Sequence, residues 1–319
     1  MNIKIPEDDK RKNGMISKAE IFISIAAFCD PLLIFTIKSA IEKAKFPERL
    51  HFGIVDQSFS SIESELPATN GRTTYLHLSP VHSRGVSWAR AVAMTLYANE
   101  DYFLQIDSHT CFDRNWDITL VDTIETISSR TGNKRIIVST RPFAFEFLSN
   151  GEIRKKRFTA STLKLVPKSH VIDLANPVVL FRCENSNEVV DLPGIQVSAA
   201  FLFTRGHFVE EIPYDPYMYF HGEEQSVSVR AYTHGWDIWH PNSLPLYHLY
   251  KRREVNEAPL HWDDEFESRR SEKWQSMRKR ANMRLKQLFQ GVPNGVYSQG
   301  CARKIEQYFE QGSFKVRGE

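Results

Sequence analysis

The sequence predicts an α/β protein built on a mostly parallel central sheet. Strand-like and helix-like segments alternate through residues 21–140, and the strand-like segments are rich in β-branched and aromatic side chains. With 319 residues and an apolar content of 41%, the chain can bury a sizeable core. Because strand–helix–strand units join parallel neighbours, the carboxyl ends of these strands should meet at one edge, where such sheets bind ligands.

The first half of the chain supplies the parallel strands. Residues 21–27 are predicted to form a buried strand, and Asp30-Pro31 is typical of a helix cap followed by a first-turn proline, with the helix ending near Lys45. The next predicted elements are strands at residues 50–55, 74–78, 102–106 and 135–140, and helices at residues 86–98 and 116–128.

The second half, residues 158–250, predicts shorter strands around a helix. Residues 194–203 are expected to form one buried strand, residues 221–233 a helix and residues 236–241 an extended segment. Residues 263–290 have the pattern of one long amphipathic helix, and a short helix follows around residues 303–309. We therefore divide the chain into a flexible tail (1–20), a domain (21–262) and a helical C-terminal extension (263–319).

Charge and cysteine content exclude several classes of protein. The 41 basic and 39 acidic side chains leave a formal charge of +2, so no dominant attraction to nucleic acid or a membrane surface is expected. The first apolar run, residues 21–28, is too short to span a bilayer, and we expect no membrane span or secretory targeting. Cys29, Cys111, Cys183 and Cys301 form no Cys-x-x-Cys pair, which argues against a zinc module and favours a reducing, cytoplasmic location.

The stretch Tyr102-Phe-Leu-Gln-Ile-Asp-Ser-His109 is the strongest functional signal. A buried strand ends there on two potential metal ligands, Asp107 and His109, one residue apart. A carboxylate oxygen and an imidazole nitrogen at the carboxyl end of a strand suit a divalent ion that holds a diphosphate. The alternative is an ordinary loop with an Asx turn and a surface histidine.

Several separated blocks carry a resemblance to a known family. They are Ile21-Phe-Ile-Ser-Ile-Ala-Ala-Phe-Cys-Asp-Pro31 with Pro47-Glu-Arg-Leu-His-Phe-Gly-Ile54; Gly85-Val-Ser-Trp-Ala-Arg90 with Gln105-Ile-Asp-Ser-His109 and Asn115-Trp-Asp117; Phe220-His-Gly-Glu-Glu-Gln225 through Gly235-Trp-Asp-Ile-Trp-His-Pro241 to Tyr247-His-Leu-Tyr250; and Gly295-Val-Tyr-Ser-Gln-Gly-Cys-Ala-Arg303. In this order the blocks resemble the polypeptide hydroxyproline GlcNAc-transferases of glycosyltransferase family 60, and more distantly the polypeptide GalNAc-transferases. Cys29 and Cys111 stand where the family pattern often has arginine.

The resemblance implies a type-A glycosyltransferase fold with a donor half at about residues 21–140 and an acceptor half at about residues 158–250. It implies metal-dependent, retaining transfer of a sugar, GlcNAc, from a UDP-sugar to a hydroxyl of a protein or glycan. It also implies a metal site of Asp107, His109 and the distant His248. Mn²⁺ is favoured over Mg²⁺ because two imidazoles are softer ligands than Mg²⁺ prefers. On local evidence alone, His248 could instead be a core histidine.

Candidate donor-binding residues lie near the ends of the first strands. Ser24, Asp30 and the pair Asp56-Gln57 are expected to read the uracil edge and the ribose. Asp30 can instead be only a helix cap. Ser108, between the two candidate metal ligands, completes this set.

The helices contribute charged candidates. Arg90 lies on the predicted helix before the Asp107 strand, and its planar guanidinium is expected to reach the diphosphate or the uridine. The alternative is that Arg90 is a surface arginine. The same two interpretations hold for Arg84. Glu223 and Glu224 begin a predicted helix and are the candidate catalytic carboxylates, which would position the sugar or the acceptor and would not attack as nucleophiles. Capping of the helix terminus is the alternative explanation for both.

Other interpretations remain open from the sequence. One is a non-catalytic sugar-binding or protein-binding module on a transferase scaffold. Another is an iron(II) dioxygenase, although its ligands usually run His-x-Asp and its fold is an all-β jelly roll. Trp116, Trp236 and Trp239 can stack on a sugar or belong to the core, and the basic residues 154–157 can meet an acidic acceptor or form a solvated turn.

Overall fold

A computed structural model describes residues 19–69, 71–250 and 259–318 of the chain. The predicted flexible tail therefore lies outside the described residues, apart from residues 19 and 20. The described strands are β1 (Ile21–Phe28), β2 (Leu50–Gln57), β3 (Arg72–Leu78), β4 (Tyr102–Asp107), β5 (Thr110–Phe112), β6 (Ile136–Val138), β7 (Phe143–Phe147), β8 (Ile153–Lys156), β9 (Leu163–Pro167), β10 (Val171–Asp173), β11 (Phe181–Asn185), β12 (Leu192–Gly194), β13 (Phe201–Arg205), β14 (Asp237–His240), β15 (Leu246–His248) and β16 (Lys315–Arg317).

The described helices are α1 (Leu33–Lys43), α2 (Val86–Met94), α3 (Trp116–Thr131), α4 (Phe208–Glu211), α5 (Glu223–Thr233), α6 (Asp264–Glu267), α7 (Trp274–Phe289) and α8 (Ile305–Gln311). Short 3-10 turns lie at Pro47–Arg49, Glu63–Glu65 and Pro80–His82. Among the described helices, none has both the length and the apolar character needed to cross a bilayer.

Eight of the described strands form a central sheet in the order β12-β14-β6-β13-β4-β1-β2-β3. Strands β4, β1, β2 and β3 are parallel to one another, and β14 is parallel to β6. Strand β13 is antiparallel to both of its neighbours, β4 and β6, and β12 is antiparallel to β14 at the edge. The predicted α/β fold with a mostly parallel sheet is confirmed.

Helices cover both faces of this sheet. On one face, the odd-numbered residues of β1, such as Ile23 and Ile25, pack with Leu33 of α1 and Leu120 of α3. On the other face, Phe22 packs in a separate cluster with residues of α2, α4 and α5. The strands are therefore buried on both sides, which explains why they appear in the sequence as continuous apolar runs.

A second sheet has the order β5-β15-β7-β8. Strand β15 is antiparallel to β5, with His248 opposite Thr110, and parallel to β7. The backbone N–H of Leu249 donates to the carbonyl of His109 at 3.1 Å, which ties the end of β15 to the loop after β4. This small sheet brings two segments far apart in the sequence to the carboxyl edge of the central sheet.

Two predicted elements are wrong in extent. Residues 194–203 form the end of β12, a turn and the start of β13, because side chains take the place of strand partners: the N–H of Ser198 donates to Ser139 Oγ at 2.8 Å and the N–H of Ala199 to Glu224 Oε1 at 2.7 Å. Residues 263–290 form α6 and α7 instead of one helix. The chain breaks where the buried Arg270 turns inward and donates to the carbonyl of Pro80 at 3.0 Å.

The last described elements pack against the body of the protein. Leu285 of α7 and Tyr308 of α8 share a core cluster with Val229 of α5, and β16 pairs with β10 in parallel. The division into a domain and a C-terminal extension stays a prediction.

Candidate functional site

A cavity of about 530 Å³ opens at the carboxyl edge of the central sheet. The parallel arrangement places the ends of β1, β2 and β4 together at this edge, as the alternation of elements predicts. The predicted site residues that line the cavity are Gln57, Arg90, Asp107, Ser108, His109, Glu223, Glu224 and His248.

Asp107, His109 and His248 meet at one wall of this cavity. His248 Nε2 lies 3.0 Å from both Asp107 Oδ2 and His109 Nε2, and His109 Nε2 lies 4.0 Å from Asp107 Oδ2. One potential ligand atom from each residue lies within 4.8 Å of the others, and both histidines are buried. A cation between these atoms would have one carboxylate oxygen and two imidazole nitrogens as ligands.

Asp30 lies behind this cluster. Its Oδ2 contacts His109 Nδ1 at 2.7 Å and also accepts a hydrogen bond from the hydroxyl of Ser108. A carboxylate on the far nitrogen fixes the orientation of the imidazole, so that His109 Nε2 faces the cavity as a lone-pair donor. Asp30 also accepts from the N–H of Leu32 at 3.0 Å, although α1 begins only at Leu33. Asp30 therefore makes both the cap-like contact and a contact with a candidate metal ligand.

The electrostatics keep Asp107 ionised. Burial by itself would raise the pKa of this carboxyl group, but the hydrogen bond to His248 and the positive charge of Arg90 lower the pKa below its ordinary value. The ring of Tyr250 covers His248 with a centroid separation of 4.3 Å. The cluster therefore offers a permanently charged oxygen ligand in a largely buried setting.

Arg90 holds two carboxylates together. Its guanidinium donates to Glu223 Oε1 at 2.7 Å, to Asp107 Oδ1 at 2.8 Å and to the carbonyl of Ala199 at 3.1 Å. Burial would lower the pKa of Arg90, but the charges of Glu223 and Asp107 raise it overall. Since each hydrogen bond between charged groups contributes about 1.5–3 kcal/mol, turning Arg90 toward a ligand would cost several kcal/mol. Arg90 therefore organises the site, and it is not the surface arginine of the alternative interpretation.

Glu223 and Glu224 have different surroundings. Burial raises the pKa of both carboxyl groups; Arg90 opposes this rise at Glu223, and the hydrogen bond from Ala199 N–H opposes it at Glu224. Within the described part of the chain, Glu223 Oε2 has no hydrogen-bond partner although it is buried. An acceptor oxygen in this state at a cavity wall is suited to a ligand hydroxyl or amide.

The predicted nucleotide-reading residues are only partly at the cavity. Gln57 lines it and accepts a hydrogen bond from the hydroxyl of Ser83 at 2.5 Å. Asp56 does not line it, and its carboxylate accepts a hydrogen bond from the hydroxyl of Tyr75 on the neighbouring strand β3 at 2.6 Å. Ser24 was expected at a strand end, and this placement is wrong because β1 continues to Phe28 and leaves Ser24 buried in mid-strand.

Other residues that the sequence singles out lie away from the cavity. Trp116 and Trp236 are fully buried in the core, and Trp239 packs against Arg130, so the core interpretation of all three holds. Strand β8 carries the basic residues at an exposed edge, where Arg154 and Lys156 pair with Glu146. The residues of this group that do not line the cavity are Arg84, Cys29, Cys111, Trp116, Trp236 and Trp239.

The sequence does not reveal several cavity-lining residues. Arg141, Tyr219, Tyr250, His261 and Trp262 all line the cavity. His261 Nδ1 lies 2.8 Å from the hydroxyl of Tyr219, and burial, with help from Arg270, lowers the pKa of His261 to about 3, so this imidazole is neutral. No local pattern marks these residues, because each lies in a connection or just beyond a short strand.

Comparison with known proteins gives one family and a shared fold. A family model described as Glycosyltransferase (GlcNAc) matches residues 20–74 and 63–310, which is most of the chain. No curated protein matches the sequence.

Two solved structures are similar to this chain. One is GalNAc-T7 with UDP, GalNAc and Mn²⁺: it is 13% identical, with a TM-score of 0.57 over 93% of this chain and 56% of that one. The chain thus spans little more than half of GalNAc-T7. The other is S. aureus TarS 1-349 in complex with UDP, which is 13% identical, with a TM-score of 0.42 over 74% of this chain and 62% of that one. The similarity to GalNAc-T7 confirms the predicted type-A glycosyltransferase fold.

Proposed function

Because this chain belongs to the glycosyltransferase (GlcNAc) family, we propose that it transfers a sugar from a UDP-sugar to a hydroxyl group of a protein or glycan. The observation that carries the proposal is the convergence of Asp107, His109 and His248 at the wall of a cavity of about 530 Å³. A diphosphate held beside such a cluster would place the attached sugar within the cavity. The presence of UDP and Mn²⁺ in the GalNAc-T7 structure, which has the same fold, supports this choice of donor.

In the proposed reaction, the bond between the anomeric carbon and the β-phosphate oxygen breaks, and the acceptor oxygen forms the new bond to that carbon. UDP leaves with the bonding electron pair, and the proton of the acceptor hydroxyl passes to the leaving diphosphate. Retention of configuration is what the resemblance to the hydroxyproline GlcNAc-transferases implies. The protein's contribution is to position both substrates and to stabilise the charge on the leaving diphosphate.

The residues present fit a divalent cation. Asp107 is ionised, His109 is oriented by Asp30, and His248 faces both of them, so the set combines one hard oxygen with two imidazoles. We propose Mn²⁺, or else Mg²⁺, as the ion. When bound, it would neutralise negative charge on the leaving diphosphate.

Asp30 offers a test of this cluster. Asp30→Asn should weaken Mn²⁺ binding by about 10- to 100-fold, because the amide cannot hold the imidazole of His109 as strongly as the carboxylate does. Calorimetry measures UDP binding at a series of Mn²⁺ concentrations, and the Mn²⁺ affinity follows from that dependence. Asp122→Asn, on the exposed side of α3, is the matched control and should bind Mn²⁺ as the unaltered protein does. If Asp30→Asn bound Mn²⁺ as tightly as the unaltered protein, Asp30 would not contribute to the metal site.

We propose that Glu223 and Glu224 position the sugar or the acceptor. Glu224→Gln should lower the rate of transfer by about 10- to 100-fold, while UDP affinity changes much less, because the carboxylate acts on the reacting groups and not on the nucleotide. Steady-state kinetics and UDP calorimetry on the same variant make the comparison, with Glu210→Gln at the surface as control. Equal losses in both quantities would make Glu224 a donor-binding residue.

The donor sugar, the acceptor and the cellular location are also proposed. We propose UDP-GlcNAc as the donor and a hydroxyl of a protein or glycan as the acceptor, because the blocks in the sequence resemble the hydroxyproline GlcNAc-transferases. A cytoplasmic location is proposed from the spacing of the cysteines alone. The mostly parallel sheet does not fit the jelly roll of the iron(II) dioxygenase alternative.

Release of UDP from a panel of UDP-sugars, with Mn²⁺ and with EDTA, tests the proposal. Slow hydrolysis of UDP-GlcNAc that EDTA stops would support a transferase and identify its donor. If no sugar nucleotide is cleaved and calorimetry detects no UDP binding, the non-catalytic module becomes the better explanation. Tight UDP binding without cleavage would show that the acceptor must be present for turnover.

A further inference from the structure

Arg141 lies at the cavity wall between β6 and β7. Its side chain is half-buried, and within the described residues its guanidinium makes no side-chain hydrogen bond or ion pair. Its charge nevertheless acts on Glu224. Burial raises the pKa of Glu224, and the positive charge of Arg141 opposes that rise. Arg141 is therefore a cation that faces the cavity with its donors available.

The segment that carries Arg141 touches the candidate metal cluster. The hydroxyl of Tyr250 donates to the carbonyl of Pro142 at 2.7 Å, and the ring of Tyr250 covers His248 at 4.3 Å. Burial raises the pKa of Tyr250 and the positive charge of Arg141 opposes that rise, so the guanidinium lies near the side chain that covers His248. A ligand group bound at Asp107, His109 and His248 would lie in the cavity that Arg141 also lines.

Among the described residues that line the cavity, the arginines are Arg90 and Arg141, and there is no lysine. Glu223, Asp107 and the carbonyl of Ala199 take three of the five N–H donors of Arg90, which holds its guanidinium against the protein's own carboxylates. A planar guanidinium matches two phosphate oxygens in a bidentate contact. Among the described residues, Arg141 is the cavity-lining arginine that no carboxylate of the protein holds.

We propose that Arg141 binds the diphosphate of the donor nucleotide and stabilises it as the leaving group. This rests on the proposed function and assigns to Arg141 the contact that the sequence suggests for Arg90. The ligand would be a nucleoside diphosphate, with its anionic oxygens between the candidate metal ligands and the guanidinium of Arg141.

The test compares UDP with uridine in the presence of Mn²⁺, by calorimetry, on the full chain. Arg141→Met should lower UDP affinity by about 10- to 100-fold while uridine affinity stays within about twofold, since only the phosphates contact the guanidinium. Arg141→Lys keeps the positive charge but not the planar guanidinium and should give an intermediate loss of UDP affinity. Arg182→Met, at an exposed pair with Glu184 outside the cavity, is the matched control.

The outcomes separate the two proposals. If the unaltered protein binds UDP and Arg141→Met binds it equally well, the role of Arg141 is overturned and the transferase proposal stands. If UDP affinity is unchanged but the KM for the acceptor rises, Arg141 contacts the acceptor instead, which also overturns the inference. If the unaltered protein binds neither UDP nor uridine, the proposed function fails and the role of Arg141 fails with it.

Discussion

Asp107→Asn should reduce Mn²⁺-dependent turnover of the UDP-sugar by about 1000-fold or more. The substitution keeps the shape of the side chain but removes the charged oxygen ligand from the cluster with His109 and His248. A bound cation stabilises the transition-state charge by several kcal/mol, and each 1.36 kcal/mol corresponds to a factor of ten in rate. Loss of the cation therefore removes most of the catalysis.

The measurement is initial-rate UDP release over a range of Mn²⁺ concentrations. His248→Ala should have an effect of similar size, because it removes another ligand of the same cluster. Asp113→Asn on the loop after β5 serves as control and should retain activity, since Asp113 pairs with Lys155 away from the cavity. Full activity in both Asp107→Asn and His248→Ala, with thermal unfolding unchanged, would show that the metal site lies elsewhere.

Arg90→Met should lower the free energy of unfolding by about 3–5 kcal/mol. The substitution removes the guanidinium that joins the buried Glu223 to Asp107, whose side chain is 25% exposed. Removing one partner of a buried ion pair costs this much because the remaining charge is neither solvated nor compensated. Of the substitutions considered, this one should have the largest effect on stability.

Urea unfolding followed by circular dichroism measures the change. Adding Glu223→Gln to Arg90→Met should recover about 1–3 kcal/mol, because the amide removes one of the two stranded charges. The exposed pair provides the comparison: Arg182→Met should cost no more than about 1 kcal/mol. A loss below about 1 kcal/mol in Arg90→Met would mean that water reaches the cluster and that it is not a buried ion pair.

Some of the site is predictable from the chain alone. Asp107 ends the apolar strand β4 and His109 follows shortly after it, so their place at the carboxyl edge of the sheet depends only on local pattern and on the parallel direction of β4. Glu223 and Glu224 begin a helix, as their position in the sequence predicts. Arg90 lies on the expected helix, but its partners are carboxylates of the protein, which its position in the sequence does not reveal.

Other features need the folded chain. His248 is 139 residues from His109, and only the resemblance to a family connects the two in the sequence. Asp30 contacts His109 although the two are 79 residues apart in the sequence. Arg90 and Glu223 form an ion pair although they are 133 residues apart. Ser24 and Asp56 illustrate the converse, because both are polar residues in the first two strands and yet neither lines the cavity.

Local pattern in the sequence predicts the class of fold, the edge of the sheet at which the cavity opens, and the two candidate metal ligands Asp107 and His109, which lie one residue apart. These follow from periodicity and apolar content, which act over a few residues. The tertiary structure alone decided which of the two cavity arginines is engaged, which carboxylate orients His109, and where the predicted long strand and long helix break. Those outcomes depend on strand order and on buried side-chain partners that are distant in the sequence, and local pattern carries no record of such partners.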